Sequence, residues 1–233
     1  MQNTITIGGR GCPVFSGTKP KVILIQPVDE TDQHGLQAQI PLIEQHCGED
    51  FLLAAVPIRD WNRELSPWKA PAVFGKQDFG SGAGETLDWI EQALLPALLK
   101  EYRLSEELPV ILGGYSLAGL FALWSGCRTD RFSAIAAASP SVWFPNWIEY
   151  AKAHAILAEH VYLSLGDREE RTKNPVMATV GTCIRTQLQI LREAGINCIL
   201  EWNQGNHFKD PEKRIAAAFS RCMDKVLENP AVD

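Results

Sequence analysis

The 233-residue sequence lacks the features that mark several classes of protein. Basic residues are not in excess, since 22 Lys and Arg stand against 28 Asp and Glu and the net charge is −6. Nucleic-acid binders carry a basic patch and anionic membranes attract basic segments, so neither partner is expected. No stretch of about 18 uncharged apolar residues is present. We therefore predict no transmembrane helix.

Marks of export are also missing. The N-terminal stretch MQNTITIGGRG has no basic region followed by an apolar one, so no signal peptide is expected. None of the six cysteines forms a CxxC pair, and without an export signal we expect reduced thiols in a cytoplasmic protein. These cysteines are Cys12, Cys47, Cys127, Cys183, Cys198 and Cys222.

No metal and no other cofactor is predicted. The segment DETDQH (29–34) holds two aspartates and a histidine, but acids in a loop without a fixed ligand set are weak evidence for a metal. The glycine-rich segment FGSGAG (79–84) matches neither of the two nucleotide-binding patterns, G-x-x-x-x-G-K-[ST] and G-x-G-x-x-G. It is interpreted as a flexible turn that leads into a helix.

Two kinds of apolar segment alternate along the chain. Short, unbroken apolar runs predict strands at 21–25, 51–58, 108–114, 132–140, 160–166 and 196–202. Helical spacing predicts helices at 36–48, 85–102, 116–127, 147–158, 175–195 and 212–229, with a kink at Pro96. This alternation is typical of an α/β fold with a mostly parallel sheet covered by helices on both faces. No linker divides the chain, so residues 1–233 are expected to form one domain.

A serine stands where the third predicted strand becomes a helix. The stretch GGYSLAG (113–119) has small residues, Gly114 and Ala118, two positions before and after Ser116. A nucleophile elbow needs small residues at these positions because the turn is crowded. The N–H of Leu117, at the start of the helix, is then one oxyanion donor. The alternative is that Ser116 only caps the helix, because serine is a preferred N-cap residue.

A nucleophilic serine needs a base and an acid, and in α/β-hydrolases they follow it in the order acid, then histidine. Among the histidines after Ser116 near strand ends, His160 lies where its strand begins. His207 instead follows the last strand, in the loop NQGNHF, and is the predicted base.

Three acidic residues in GDREE (166–170) are candidates for the acid that orients His207. Hydrolases of this fold often place the acid three residues beyond a glycine at the strand end, which favours Glu169. Asp167 is the alternative acid, and Glu170 is the third candidate.

Four segments carry a resemblance to a known family: GGYSLAGLFALW, FSAIAAASPSVWF, VYLSLGDREE and GNHF. Together they resemble the putative-esterase group of the α/β-hydrolase superfamily. That group includes siderophore trilactone esterases, feruloyl esterases, esterase D-like enzymes and mycolyltransferases. The resemblance implies a serine carboxylic-ester hydrolase with Ser116 as nucleophile, His207 as base and an acid within 167–170.

The resemblance also implies a second oxyanion N–H after the strand KVILI (21–25). Here the sequence departs from the group, because QPVDE replaces the usual His-Gly. Pro27 has no N–H, so the expected donor is Val28 or a near neighbour.

The expected partner is a small soluble ester, although a siderophore-type lactone stays open. The long segment 59–85 carries Trp61 and Trp68, which either line the substrate site together with Trp143 or only hold the loop to the body. An acyltransferase on the same triad, or a non-catalytic binding protein that kept the fold, is the alternative function. We expect a monomer or a homodimer.

Overall fold

Eight strands form one sheet in the computed structural model of the chain, which describes residues 2–48 and 50–228. The strands are β1 (Gln2–Ile7), β2 (Arg10–Ser16), β3 (Val22–Val28), β4 (Phe51–Pro57), β5 (Val110–Tyr115), β6 (Ala134–Ala138), β7 (His160–Gly166) and β8 (Asn197–Asn203). Their order in the sheet is β1-β2-β4-β3-β5-β6-β7-β8. The six strands from β3 to β8 are parallel, and β1 and β2 add an antiparallel edge.

Eight α-helices accompany the sheet within the described part of the chain. They are α1 (Glu30–Cys47), α2 (Trp61–Glu64), α3 (Ala83–Trp89), α4 (Leu95–Tyr102), α5 (Leu117–Gly126), α6 (Trp147–Ala153), α7 (Val180–Glu193) and α8 (Pro211–Glu228). None of the described helices is long and apolar enough to cross a membrane.

The helices cover both faces of the sheet, which explains the unbroken apolar strands. Helices α1 and α8 pack together over one face, where Ile43 and Phe219 belong to a core shared with Leu24. A second core on the opposite face includes Phe121 and Trp147 from the other helices. The predicted α/β-hydrolase fold is confirmed by this arrangement.

The first two strands were missed by the sequence prediction. Gly8 and Gly9 join them with φ angles of 55° and 78°. A two-residue hairpin turn of type I′ requires positive φ at both positions, so Gly-Gly between alternating apolar residues was an available signal. The hairpin extends the sheet beyond β4.

Two predicted helices differ in their details. Helix α1 begins at Glu30, six residues earlier than predicted, because the Asp29 carboxylate accepts a hydrogen bond (2.7 Å) from the N–H of Asp32 and caps the helix. The predicted helix 85–102 consists of α3, a π-helical segment (Ile90–Leu94) and α4. Pro96 lies in the first turn of α4, where its missing N–H is tolerated best. Residue 229 of the predicted last helix lies outside the described residues.

Candidate active site

Ser116 occupies the tight turn between β5 and α5. Its backbone has φ 58° and ψ −119°, a conformation that is strained for a residue with a side chain. A Cβ atom added at Gly114 would lie 2.5 Å from the Cβ of Ala118, so the turn has no room for a larger residue there. The Ser116 hydroxyl does not cap the helix. Its side chain therefore remains available for other contacts.

The hydroxyl of Ser116 meets the imidazole of His207. The distance from Ser116 Oγ to His207 Nε2 is 3.1 Å, and the distance from His207 Nδ1 to Glu169 Oε2 is 2.7 Å. The three residues come from the ends of β5, β8 and β7, which meet at the carboxyl edge of the parallel strands. The structure thus brings together the serine, the histidine and the favoured acid.

Glu169 is buried and held by several donors. Its Oε1 accepts hydrogen bonds from the Ser139 hydroxyl (2.7 Å), the Gly166 N–H (2.7 Å) and the Arg214 guanidinium (2.8 Å). Burial raises the pKa of Glu169, but the hydrogen bond and charge of His207 and the donors Gly166 and Ser139 outweigh it, so the pKa lies below its ordinary value. An ionised Glu169 accepts a hydrogen bond from the Nδ1–H of His207, which leaves Nε2 as an acceptor for Ser116.

The other two acids of this turn point elsewhere. Asp167 Oδ1 accepts a hydrogen bond (2.7 Å) from the N–H of Gly205, so Asp167 fastens the loop that carries His207. Glu170 lies 3.7 Å from Arg185 on α7. Among the three acids, Glu169 is therefore the one that is hydrogen-bonded to the His207 ring.

Two buried residues around this site were not found from the sequence. The Tyr115 hydroxyl donates a hydrogen bond (2.7 Å) to the carbonyl of His207, and burial raises its pKa to about 12, which keeps the hydroxyl neutral. Arg214, at the start of α8, contacts both Tyr115 and Glu169. The available signal was an arginine on the apolar face of α8, since charged residues are seldom buried unless they are paired.

The structure excludes Val28 as an oxyanion donor. Val28 pairs with Pro57 in the parallel ladder, and its carbonyl accepts a hydrogen bond (2.9 Å) from the N–H of Ile58. Pro57 has no N–H to donate to β3. The pairing of Val28 with Pro57 therefore requires that the N–H of Val28 donate to the carbonyl of the residue before Pro57 in β4. That N–H is thus part of the sheet, and the prediction of Val28 is wrong.

The next residue, Asp29, directs its N–H to the other side. Along β3 the N–H of Ile23 points to β5, where it donates to the carbonyl of Pro109 (2.9 Å). N–H groups alternate between sides along an extended strand, and Asp29 still has extended backbone angles (φ −87°, ψ −172°). Its N–H therefore faces β5, the strand that ends at Ser116. Leu117 is the first residue of α5, where N–H groups have no acceptor within the helix.

The three predicted substrate-binding tryptophans have different surroundings. Trp68 donates its indole N–H (2.9 Å) to the carbonyl of Pro145, and its ring contacts Phe144 and Tyr150. Trp61 is partly buried against the core at the start of α2. Both residues hold segment 59–85 to the body.

Trp143 is linked to the site through Ser141, which lies two residues before it in the chain. The Oγ atom of Ser141 is 3.3 Å from the Oγ atom of Ser116. The Trp143 ring makes an edge contact with Phe74, which is about half exposed, and a tilted contact with the buried Phe79.

Potential metal ligands meet elsewhere in the fold. Within residues 2–48 and 50–228, one group of three has its ligand atoms within 4.8 Å of one another: His46 and Cys47 at the end of α1, and Asp224 on α8. Asp29 and Asp32 of the segment 29–34 instead serve as the cap and first turn of α1.

Comparison with known proteins gives a family match. The model of a family described as "Putative esterase" matches residues 16–197, which is most of the chain and includes Ser116 and Glu169. No match was found among curated proteins.

Solved structures resemble the fold over its full length. An IroE-like serine hydrolase from Shewanella oneidensis has a TM-score of 0.79 at 16% identity, covering 100% of this chain and 82% of its own. The siderophore hydrolase EstA from Aspergillus nidulans has a TM-score of 0.73 at 17% identity, covering 100% and 95%. The enterobactin esterase FES from Shigella flexneri has a TM-score of 0.71 at 16% identity, with 97% of this chain matched to 60% of that one.

Proposed function

The chain belongs to the putative esterase family of α/β-hydrolases, and we propose that it cleaves carboxylic esters through Ser116, His207 and Glu169. One observation carries this proposal: an unbroken line of hydrogen bonds runs from Ser116 Oγ through the imidazole to the carboxylate of Glu169. A serine is activated when a base takes its proton and an acid orients that base.

Each residue has one task in the proposed reaction. His207 Nε2 removes the proton of Ser116 as Oγ attacks the ester carbonyl, and the same nitrogen then protonates the departing alcohol. Glu169 holds the ring through Nδ1 and stabilises the imidazolium that forms. Water, activated by His207, attacks the acyl-enzyme and releases the acid.

Two backbone groups are proposed to hold the oxyanion. Leu117 offers the first N–H of α5, where the positive end of the helix dipole also favours a negative oxygen. Asp29 replaces Val28 as the second donor, because its N–H faces the strand that carries Ser116. Backbone donors of this kind are fixed before the reaction, which is the source of their effect.

The proposed substrate is a small ester with an aromatic acyl group. Trp143, two residues after the Ser141 that contacts Ser116, and the half-exposed Phe74 against its ring supply apolar, flat surfaces. A siderophore ester is the second candidate, since siderophore or enterobactin hydrolysis is named for two of the similar structures. The cytoplasmic location stays a proposal, and the six free cysteines are compatible with it.

A panel of esters tests the function. Aryl esters, alkyl esters and a trilactone siderophore are incubated with the protein and with Ser116→Ala, and the free acid is measured. Acid release by the parent alone supports the hydrolase. Adding methanol separates the acyltransferase alternative, because a transferase gives mainly methyl ester. A parent protein that releases no acid and no methyl ester from any of them would leave a non-catalytic binding role.

A further inference from the structure

Arg214 is a buried cation whose partner is a buried anion. Its side chain is 3% exposed and that of Glu169 is 4% exposed, and Nη1 lies 2.8 Å from Oε1. Charges in such a place are retained only with well-placed partners. The two carboxylate oxygens of Glu169 have different partners: Oε1 accepts from Arg214, and Oε2 contacts His207.

The second nitrogen of Arg214 holds the loop that carries the histidine. Nη2 donates to the carbonyls of Asn206 (2.9 Å) and Gln204 (3.3 Å), the residues just before His207. A planar guanidinium with several donors in fixed directions suits this arrangement, whereas an ammonium does not reproduce it.

The first nitrogen reaches two further strand ends. Nη1 lies 3.1 Å from the Tyr115 hydroxyl and 3.1 Å from Ser139 Oγ. Tyr115 precedes Ser116 and donates to the His207 carbonyl. One side chain therefore contacts the ends of β5 and β6, the turn after β7 and the loop after β8.

We propose that Arg214 is a positioning residue that aligns Glu169 and the His207 loop with Ser116. The proposal rests on the proposed function of the Ser116 site. Arg214 touches neither substrate nor reacting atoms and acts through the acid and the loop.

The test compares Arg214→Met with Arg214→Lys in the full chain. Two kinds of measurement are made: kcat and KM on an ester that the parent cleaves, and amide hydrogen exchange of residues 204–207. Methionine releases the loop, so its amides should exchange faster and kcat should fall about 10²-fold. KM should stay near the parent value, because Arg214 does not touch the substrate. Lysine keeps a charge beside Glu169, so kcat should recover to within about tenfold of the parent, although the contacts to 204 and 206 are lost.

Arg221→Met is the matched control, since it removes the same charge from the same helix. Arg221 pairs with Glu201 at the surface (3.1 Å), and its loss should leave both the rate and the exchange of the loop unchanged. Parent-like kcat and loop exchange in folded Arg214→Met would overturn the proposal. If Arg214→Met does not fold, Arg214→Lys decides: an unchanged kcat contradicts a positioning role. An inactive parent overturns the proposed function instead, while hydrogen exchange still tests whether Arg214 holds the His207 loop.

Discussion

The carboxylate of Glu169 lies 2.7 Å from Nδ1 of His207, the residue that follows it by 38 positions in the chain. The contact fixes which ring nitrogen carries the proton, because an ionised carboxylate accepts the N–H of Nδ1. Nε2 then faces Ser116 as an acceptor. The orientation and the tautomer of the base both depend on this hydrogen bond.

Glu169→Gln should abolish most of the esterase activity. Glutamine has the shape of glutamate, but it lacks the charge that stabilises the imidazolium, so kcat should fall on the order of 10³–10⁴-fold. Steady-state kinetics on the best ester measure this loss. Asp167→Asn is the matched control, since Asp167 Oδ1 accepts from the Gly205 N–H and its change should cost less than about tenfold. Equal losses in the two variants would contradict the assignment of Glu169.

Glu169 should also make stability depend on pH. Its pKa in the folded protein lies below the ordinary value of about 4.3. The resulting stabilisation is complete above the ordinary pKa and disappears as the pH falls through the lower, folded value. Urea unfolding from neutral to acidic pH measures it. The difference in free energy of unfolding between the parent and Glu169→Gln should shrink as the pH falls, and a constant difference would count against this linkage.

Gly114→Ala should damage the turn at Ser116. The added Cβ would lie 2.5 Å from that of Ala118, and overpacking of this kind costs about 1–3 kcal/mol. Urea unfolding and ester hydrolysis should both show the loss. Gly84→Ala is the matched control within helix α3, where an added Cβ meets nothing within 4 Å. It should be neutral or stabilise by up to about 1 kcal/mol. A Gly114→Ala variant with unchanged stability and unchanged activity would contradict the claim that the turn at Ser116 is crowded.

Asp29→Pro tests the second oxyanion donor. Proline removes the N–H of residue 29, and the φ angle of −87° is near the range that proline adopts. Asp29→Ala loses the same helix cap but keeps the N–H. Loss of one oxyanion donor costs about 10²–10³-fold in kcat. We expect that loss in the proline variant relative to the alanine variant, and equal kcat values would place the donor at another residue.

The sequence was sufficient for the parts of the site that depend on local pattern. Ser116 could be predicted because an elbow needs small residues at fixed positions, and the parallel strands because they are unbroken apolar runs. The strand-end glycine was enough to favour Glu169 over Asp167, the choice that agrees with the hydrogen bond between Glu169 and His207. These features repeat in any chain that forms the same turn.

Other parts depend on contacts between distant segments. Val28 was a reasonable donor by position, but the sheet register, which pairs it with Pro57, engages its N–H. Arg214 reaches Glu169 across 45 positions in the chain, and a single sequence offers no spacing rule for such a pair. The tryptophans of segment 59–85 looked equally suited to substrate and to packing until their neighbours were known.

The central claim is that Ser116 is an activated nucleophile. Intact-mass detection of a fluorophosphonate adduct tests it most directly, with the parent and Ser116→Ala treated side by side. We predict a single adduct on the parent and none on the variant, because only a serine whose proton is taken by His207 attacks the phosphorus centre at neutral pH. A folded parent that forms no adduct, or a Ser116→Ala protein that is still modified, would contradict the account.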